Sequence, residues 1–282
     1  MKPSLNPSDD IVAYNRAAWD RLVRKQNRWT VPVSTDEIQR AREGDWEIVL
    51  TPEKPVPREW FPDFRGGSVE VLCLAGSGGQ QAPILAAAGA QVTVLDNSPA
   101  QLRQDERVAD RDGLALELVQ GDMADLSAFE DESFDLIVHP CSNCFVPSVL
   151  PVWQEAARVL RLGADMLAGI VNPVVYLFDD QLMEQGEFKV RHTIPYSDLK
   201  SLSAEQKQPL LNDRQPFCFG HTLADQIGGQ IDAGLAMTGF YEDRCSDWPI
   251  SEYIAAFIAT KVTKLRSTVS LKSAAKKTEP KQ

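Results

Sequence analysis

Apolar runs with the character of β-strands alternate with helical runs along the chain from Ser68 onward. The strand-like runs are, in order, SVEVLCLA, AQVTVLD, LALELVQ, SFDLIVHP and ADMLAGIV. Alternation of this kind is typical of parallel strands joined by helical crossovers, because a tight turn cannot reach a parallel partner. The sequence therefore predicts a doubly wound α/β sheet, with its ligand site outside the carboxyl ends of the strands.

Residues 1–66 precede this alternation and predict one helix followed by irregular chain. Ser8 stands where a helix N-cap would stand, and Val12, Trp19 and Val23 recur at helical spacing along one face. The chain that follows is rich in Pro and Trp, which favours an irregular layer lying over a core. We expect this extension to cover the site.

Residues 172–221 follow the fifth predicted strand without a clear strand pattern and are interpreted as an insertion. Long excursions in compact domains are usually functional, so the insertion is expected to form a cap over the acceptor site. Two last apolar runs, LAMTGFYED and EYIAAFIATKV, are joined by a link too short for a crossover helix. They predict antiparallel neighbours, which completes a seven-stranded, mostly parallel sheet with an antiparallel last strand over residues 67–263.

Thr222 and Asp225 predict the start of a helix between the insertion and those last two strands. The predicted buried face of this helix consists of Ile227, Ile231 and Leu235. Gly228 and Gly229 inside it each cost about 1 kcal/mol relative to Ala. Their presence indicates that another backbone packs very close to the helix.

The charge of the chain is unevenly distributed. The formal net charge is −11, yet residues 261–282 carry seven Lys and Arg against the single acid Glu279. The remainder is therefore strongly acidic and repels phosphate backbones, which argues against nucleic acid as the main partner. Residues 264–282 predict a basic disordered tail, with a weak electrostatic contact site as the alternative.

The sequence contains no apolar run long enough to cross a bilayer. Its start, MKPSLNPSDD, lacks the basic and apolar regions of a signal peptide. We therefore expect a cytoplasmic protein without a membrane partner.

The five cysteines are odd in number and unevenly spaced, which disfavours a disulfide framework. Cys141 and Cys144 form a lone C-x-x-C, a pattern found in redox pairs and in halves of zinc sites. No second pair of ligands stands at usable spacing. Incidental thiols are the favoured interpretation, and we predict neither a metal site nor a redox pair.

The first predicted strand ends in a turn of small residues that leads directly into a helix. The turn consists of Ala75, Gly76, Ser77, Gly78 and Gly79. Glycine lets a backbone approach a ligand closely, and a helix N-terminus offers N–H groups to an anion. Such turns occur in several classes of nucleotide-binding protein, and a purely structural turn is the alternative.

Acidic residues follow the next two predicted strands. Asp96, with Asn97 behind it, ends the second strand, where a carboxylate can accept both hydroxyls of a ribose. Asp122, followed by Met123, ends the third, where it could accept the exocyclic amine of adenine. Each acid could instead be a helix cap or a turn residue, but their order on successive strands favours an adenosine-containing cofactor. His139, at the end of the fourth strand, is expected to face the same cleft.

Taken together, these motifs resemble class I S-adenosylmethionine-dependent methyltransferases. VLCLAGSGG at residues 71–79 is similar to the first motif of that family, and VTVLDNS, QGDMADL and FDLIVHP to the next three. YNRAAWD and GHTLADQIGGQIDAG resemble a bacterial subfamily of the type 11 group. The likeness implies the Rossmann-like methyltransferase fold and S-adenosylmethionine as cofactor. The residues it implies for cofactor binding are Ala75, Gly76, Ser77, Gly78, Gly79, Asp96, Asn97, Asp122, Met123 and His139.

The chain departs from this family at the first motif. Cys73 stands where the family has an acidic residue that orders the glycine turn, and Ala75 and Ser77 replace two of its glycines. The contact to the methionine amine is thereby unassigned. Gln80 and Gln81, at the start of the next helix, could supply replacement polar contacts or simply be exposed residues of a helix start.

The resemblance implies direct displacement, in which an acceptor lone pair attacks the sulfonium methyl group. Such chemistry depends mainly on positioning, and a general base is needed only if the attacking atom carries a proton. No catalytic residue is therefore assigned. A small, partly aromatic or lipophilic acceptor would fit the aromatic residues of the insertion and the first helix, unless they only pin these segments to the core. The candidate acceptor residues are Tyr14, Trp19, Tyr176, His192, Tyr196 and His221.

Two other functional classes share some of these features. An NAD(P)-dependent oxidoreductase would also use the glycine turn and Asp96, but Gln81 stands where the dinucleotide fingerprint has its third glycine. A non-catalytic protein that binds the cofactor is the second alternative, and Cys73 is its best argument.

Overall fold

The computed structural model describes residues 6–8, 10–66, 68–76 and 78–265. The strands in this part are β1 (Glu70–Leu74), β2 (Gln91–Asp96), β3 (Leu116–Gln120), β4 (Phe134–His139), β5 (Leu160–Val171), β6 (Tyr196–Ser197), β7 (Phe219–Gly220), β8 (Leu235–Asp243) and β9 (Phe257–Lys264). The α-helices are α1 (Ile11–Arg24), α2 (Thr35–Arg42), α3 (Gln81–Ala87), α4 (Pro99–Asp112), α5 (Leu150–Val159), α6 (Asp180–Glu184), α7 (Asp198–Ser201), α8 (Ala204–Asp213) and α9 (Gly229–Asp232).

Seven of the described strands form one sheet in the order β3-β2-β1-β4-β5-β9-β8. The strands from β1 to β5 pair in parallel, whereas β9 runs antiparallel to both β5 and β8. This arrangement confirms the predicted doubly wound sheet with an antiparallel last strand. The strand order reverses between β1 and β4, and such a switch point is where open α/β sheets bind ligands.

The central strand β1 is buried on both faces. Val71 and Cys73 pack in one apolar cluster, and Leu72 and Leu74 pack in another. Because side chains alternate across a strand, a sheet covered on both sides requires an unbroken apolar run. Helix α3 and the N-terminal extension cover the first cluster, and α5 covers the second with the fully buried Trp153.

The N-terminal helix differs from its prediction in its cap and its buried face. Asp10, not Ser8, caps α1, since the Asp10 carboxylate accepts a hydrogen bond from the N–H of Ala13 at 2.9 Å. The predicted buried face was Val12, Trp19 and Val23, whereas the buried residues are Tyr14, Asn15 and Ala18. The helix is rotated in this way because Val12 and Trp19 face a cleft rather than the core.

A second helix, α2, was not predicted in the extension. Ser34 accepts from the N–H of Glu37, and the Glu37 carboxylate accepts from the N–H of Ser34, which is a capping box. Ile38 and Ala41 on this helix are completely buried. The capping signal was present in the sequence, but the many neighbouring prolines favoured irregular chain.

Two boundaries near the end of the sheet also differ from prediction. Helix α5 ends at Val159 and β5 begins at once at Leu160, earlier than predicted. The pairing of β4 with β5 shifts register at a bulge, near which Gly163 adopts a φ of +83°. β9 begins at Phe257 rather than at Glu252, which belongs to a 3₁₀ turn at Pro249–Glu252.

The insertion after β5 contains regular structure that its sequence pattern did not predict. A 3₁₀ turn at Pro173–Leu177 is followed by α6, and the short antiparallel pair β6 and β7 encloses α7 and α8. Within the described residues, no helix is long and apolar enough to cross a membrane. The predicted basic tail at residues 264–282 lies outside the described chain from residue 266 onward.

The predicted helix after the insertion starts as expected but continues differently. The N–H of Asp225 donates to Thr222 Oγ1 at 3.0 Å. The chain then forms a π-helical turn at Ala224–Gly228 before the short helix α9. The prediction of its buried face was wrong at Ile231, which is 55% exposed. The turn instead buries Gln226, Gly229 and Gln230 against α5 and the sheet.

The two glycines of this turn provide a matched pair of substitutions. A Cβ atom added to Gly229 would lie 2.8 Å from both Leu150 Cδ2 and Trp153 Cδ1, whereas one added to Gly228 meets nothing within 4 Å in the described chain. The close neighbour is thus a pair of side chains rather than a backbone. We expect Gly229→Ala to destabilise the protein by about 1 to 3 kcal/mol through overpacking.

The Gly228→Ala variant serves as the control in the same urea unfolding experiment. Gly228 has helical backbone angles, so alanine there should stabilise the protein by about 0.4 to 1 kcal/mol by restricting the unfolded chain. Equal unfolding free energies for the two variants would contradict the packing of this turn.

Candidate functional site

A cleft of about 480 Å³ opens at the carboxyl ends of the parallel strands. The turn after β1 and the chain after β2, β3 and β4 form its floor. Helix α1, residues 49–52 and parts of the insertion form its walls. The cleft therefore lies at the switch point of the sheet, as predicted.

The turn after β1 brings bare backbone to the cleft. Ala75 and Gly76 line the cleft, and Ala75 adopts a φ of +49°, which is rare for a residue other than glycine. A Cβ atom added to Gly76 would lie 2.9 Å from Pro140 Cδ and 3.0 Å from Gln81 Oε1. Position 76 therefore requires glycine. Ser77 lies outside the described residues.

The second half of the turn is held from outside the cleft. The N–H groups of Gly78 and Gly79 donate to the two carboxylate oxygens of Asp105, at 3.0 and 3.1 Å. Asp105 lies on α4 and is completely buried. Neither glycine is among the residues that line the cleft. Their N–H groups, expected to meet a ligand anion, instead bind a carboxylate of the protein.

Cys73, which replaces the acidic residue of the family, lies beneath this turn. Its side chain is completely buried between the sheet and the extension and does not line the cleft. Burial raises the pKa of the Cys73 thiol, and the negative charge of Asp105 raises it further. Cys73 is therefore a neutral thiol, and the nearby carboxylate is that of Asp105.

The predicted cofactor residues after β2 and β3 line the cleft together: these are Asp96, Asn97, Asp122 and Met123. Asp96 accepts a hydrogen bond from the N–H of Ser98 at 2.8 Å, and Asp122 accepts one from the N–H of Ala124 at 3.0 Å. Each acid thus stabilises its own turn as well as bordering the cleft. These bonds hold the two carboxylates in fixed positions at neighbouring strand ends.

His139 does not face the cleft, contrary to prediction. Its ring is completely buried, 6.0 Å from the ring of Trp153, and its nitrogens bind the carbonyl oxygen of Leu74 at 2.7 Å and the side chain of Asn143. Burial lowers the pKa of His139. The ring connects the end of β1 to the loop after β4, which is a structural role.

Helix α1 is fixed over the cleft by polar contacts from two of its residues. Asp20 accepts from the hydroxyl of Ser98 at 2.7 Å and from the N–H of Ala100 at 3.0 Å, at the start of α4. The buried Asn15 donates to the carbonyl oxygens of Phe145 and Phe217, both at 3.0 Å. The helix therefore joins the cofactor side of the cleft to the insertion.

Two of the six predicted acceptor residues line the cleft, namely Trp19 and Tyr176. The other four pack behind its wall. Tyr14 packs on Phe217 at 5.3 Å between ring centroids, and the hydroxyl of Tyr196 donates to Asp198 at 2.6 Å. His192 packs on Tyr196, and His221 binds the carbonyl oxygen of Asn143 at 3.0 Å.

Further residues line the cleft beyond the predicted cofactor and acceptor residues. Four cysteines lie along it (Cys141, Cys144, Cys218 and Cys245), together with Arg16, Gln101, Trp29, Trp248, Phe257 and residues 49–52. A hydrogen bond with Cys144 and burial raise the pKa of Cys218, and burial raises that of Cys141. Among the described residues, no group of three or more His, Cys, Asp or Glu side chains is arranged to hold a metal ion.

A family profile described as a methyltransferase domain matches residues 72–168. A Bacillus subtilis protein described as an uncharacterized methyltransferase, YbaJ, is 52% identical over 255 residues, which span 90% of this chain and 99% of that protein.

Solved structures show the same fold. A methyltransferase from Mesorhizobium loti, described as S-adenosylmethionine dependent, superposes with a TM-score of 0.57 and 16% identity, over 73% of this chain and 94% of that one. A Listeria monocytogenes protein with a similar description gives a TM-score of 0.53 and 15% identity, over 74% and 96%. About half of the residues of this chain are identical to those of the Bacillus protein, along nearly the whole length of that protein. The chain therefore belongs to the class I methyltransferase family.

Proposed function

We propose that this protein transfers a methyl group from S-adenosylmethionine to a small molecule bound in the same cleft. The observation that carries the proposal is the bare backbone at Gly76 beside the carboxylates of Asp96 and Asp122, all bordering one cleft. Two carboxylates at successive strand ends match the hydroxyl and amine donors of an adenosine. Glycine at position 76 lets the turn pack directly against Pro140 and Gln81 at the edge of the cleft.

The residues fit this cofactor. Asp96 would hold the ribose and Asp122 the adenine, while the turn at Ala75 and Gly76 would border the rest of the molecule. The bound cofactor supplies a methyl group already activated by the sulfonium charge. What remains for the chain is to orient the acceptor and exclude water.

The acceptor side of the cleft favours a small, partly aromatic or lipophilic molecule. Its described walls carry the aromatic residues Trp19, Phe145, Tyr176, Trp248 and Phe257. No residue among them is a strong base. The pKa of the Cys141 thiol is raised by burial, and that of Cys218 by a hydrogen bond with Cys144 and by burial, which keeps both thiols protonated. These walls support binding and orientation rather than proton abstraction.

The proposal includes the setting of the reaction. The acidic net charge of −11 disfavours a nucleic acid as acceptor, and we place the reaction in the cytoplasm.

The main alternative, an oxidoreductase that uses NAD(P), is disfavoured by the relationship to the Bacillus methyltransferase and by the antiparallel β9. Cys73, the best argument for a non-catalytic role, loses its weight because Asp105 orders the turn that Cys73 cannot order.

Isothermal titration calorimetry with S-adenosylhomocysteine tests the proposal. Wild-type protein should bind it, and Asp96→Ala should lose about 1.5 to 3 kcal/mol of binding free energy, because charge-assisted hydrogen bonds to the ribose are removed. Asp110→Ala, an exposed change on α4, is the control and should bind normally.

Two results would count against these assignments. Failure of the wild-type protein to bind S-adenosylhomocysteine, or a rise in melting temperature with NAD(P) instead, would overturn the function. Normal binding by Asp96→Ala would overturn only the role of Asp96.

A further inference from the structure

Two cysteine thiols from different segments of the chain meet in the wall of the cleft. Cys144 lies in the 3₁₀ turn after β4, and Cys218 lies immediately before β7, near the end of the insertion. Both residues line the cleft, and neither is completely enclosed, since Cys144 is 7% exposed and Cys218 is half-buried. A hydrogen bond joins the two thiols. This pair is distinct from the C-x-x-C pattern, in which Cys144 is paired with Cys141.

Hydrogen bonds of the neighbouring backbone hold the two thiols together. The side chain of Asn15 donates to the carbonyl oxygens of Phe145 and Phe217, both at 3.0 Å. These carbonyls belong to the residue that follows Cys144 and to the residue that precedes Cys218. The two segments are thus fixed to one another beside the thiols. A pair held in this way loses little conformational freedom when a ligand bridges it.

The surroundings of the pair are aromatic and contain neutral groups. Burial raises the pKa of Tyr176, and the thiols of Cys144 and Cys218 raise it further, which places the Tyr176 hydroxyl beside the pair. The ring of Phe145 also lines the cleft and packs edge-on against Trp19, 5.1 Å away between centroids. A hydrogen bond with Cys144 and burial raise the pKa of the Cys218 thiol. The pair is therefore not a pair of thiolates at neutral pH.

These features decide which kind of ligand the pair can take. Metal cations bind cysteine as the thiolate, and no group of three or more His, Cys, Asp or Glu side chains in the described chain is arranged to hold a metal ion. Formation of a disulfide also begins with a thiolate and requires an oxidant. A trivalent arsenic oxide, in contrast, condenses with two neutral thiols, because soft arsenic prefers sulfur to oxygen. The product is uncharged, which suits an aromatic wall.

We propose that Cys144 and Cys218 bind a trivalent organoarsenic compound in the cleft. With an oxide R–As=O, two As–S bonds form, the bond between arsenic and the oxide oxygen breaks, and the two thiol protons leave with that oxygen as one water molecule. Arsenic stays trivalent, so the step needs neither an oxidant nor a reductant. The organic group R would lie against the rings of Phe145 and Tyr176. This ligand is additional to the proposed cofactor, and its binding does not depend on the proposed function.

Calorimetric titration with phenylarsine oxide, followed by measurement of the intact mass, tests this assignment. The protein is first reduced with a phosphine, which leaves no competing thiol in solution. The wild-type protein should take up one phenylarsenic group, at the mass of the protein plus the oxide minus one water molecule. Cys144→Ser and Cys218→Ser each leave one thiol of the pair. Each should bind about a hundredfold more weakly or worse, because the second As–S bond forms within one site at high effective concentration.

Cys141→Ser and Cys245→Ser are the matched controls. Both residues line the same cleft, but neither makes a hydrogen bond to another thiol in the described chain. Each variant should take up phenylarsine oxide like the wild type. Diphenylarsinous acid is the control ligand, since it can form only one As–S bond. It should bind the wild-type protein weakly and lose little affinity in Cys144→Ser or Cys218→Ser.

Each outcome decides for or against the pair. Loss of tight binding in Cys144→Ser and Cys218→Ser, with both controls unchanged, supports the dithiol site. Absence of an adduct with the wild-type protein, or unchanged affinity in Cys218→Ser, contradicts it, and loss in Cys141→Ser instead assigns the arsenic to the C-x-x-C pair. Melting temperatures of the free proteins identify a poorly folded variant, and the half-buried Cys218 keeps the test decisive if Cys144→Ser is one. Failure of the proposed function is detected separately, with S-adenosylhomocysteine.

Discussion

Replacement of Asp105 by alanine is expected to destabilise the protein and to weaken cofactor binding together. The change leaves the buried N–H groups of Gly78 and Gly79 without their carboxylate partner. Each unsatisfied buried donor costs about 1 to 3 kcal/mol, so the free energy of unfolding should fall by about 2 to 6 kcal/mol. The turn at Ala75 and Gly76 is continuous with these residues, and S-adenosylhomocysteine should therefore bind more weakly.

Urea unfolding and calorimetry on a short series of variants measure both effects. Asp105→Asn keeps one acceptor oxygen and should show a smaller loss than Asp105→Ala. Glu106→Gln, exposed on the same helix, is the control and should resemble the wild type. If Asp105→Asn and Asp105→Ala both match the wild type in stability and in affinity, the carboxylate does not hold the turn.

The series extends to position 73, where the family has an acid. The charge of Asp105 acts on the buried Cys73 thiol, so the two side chains are close in space. Cys73→Asp in the Asp105→Asn background moves a carboxylate toward its usual place in the family. Partial recovery of affinity in this double variant would indicate that the carboxylate is needed at the turn, whichever residue carries it.

The parts of the site that could be predicted are local in sequence. The turn at Ala75 and Gly76 and the acids Asp96 and Asp122 each follow directly after a strand. Because the sheet is parallel, strand ends that are far apart in the chain meet at one edge. Prediction of the strands alone was therefore enough to predict that these residues meet at one cleft.

The misplacement of His139 has a physical reason that the sequence already contained. Side chains alternate along a strand, so His139 lies on the same face of β4 as Ile137. Ile137 belongs to the cluster covered by α5, and the His139 ring accordingly points toward Trp153. A position at the end of a strand does not by itself turn a side chain into the cleft.

The partners of the turn could not be predicted because they come from distant segments. Asp105 and Gln101 lie on α4, where an amphipathic pattern marks them only as polar residues of a helix. Their approach to the turn depends on how α4 packs beside α3. Residues 49–52 belong to the extension that was expected to cover the site, but nothing in their composition indicates that these four residues in particular form a wall of the cleft.

Backbone contacts hold residues 49–52 against the sheet. The N–H of Cys141 donates to the carbonyl oxygen of Leu50 at 3.1 Å, which anchors residues 49–52 over the ends of β4 and β5. The same Leu50 carbonyl covers Gly169 on β5, where an added Cβ atom would overlap the carbonyl oxygen and lie 2.9 Å from the carbonyl carbon. No side-chain rotation can relieve a clash with backbone.

Gly169→Ala is therefore expected to displace residues 49–52 from the sheet and to destabilise the protein by about 3 kcal/mol or more, at the upper end of overpacking effects. For a chain of this size the melting temperature should fall by roughly 6 to 12 °C. Binding of S-adenosylhomocysteine should weaken as well, because Val49 and Leu50 line the cleft. Gly228→Ala is the control for adding a methyl group where space is available. If the melting temperature of Gly169→Ala equals that of the control, the Leu50 carbonyl does not pack against Gly169 as described.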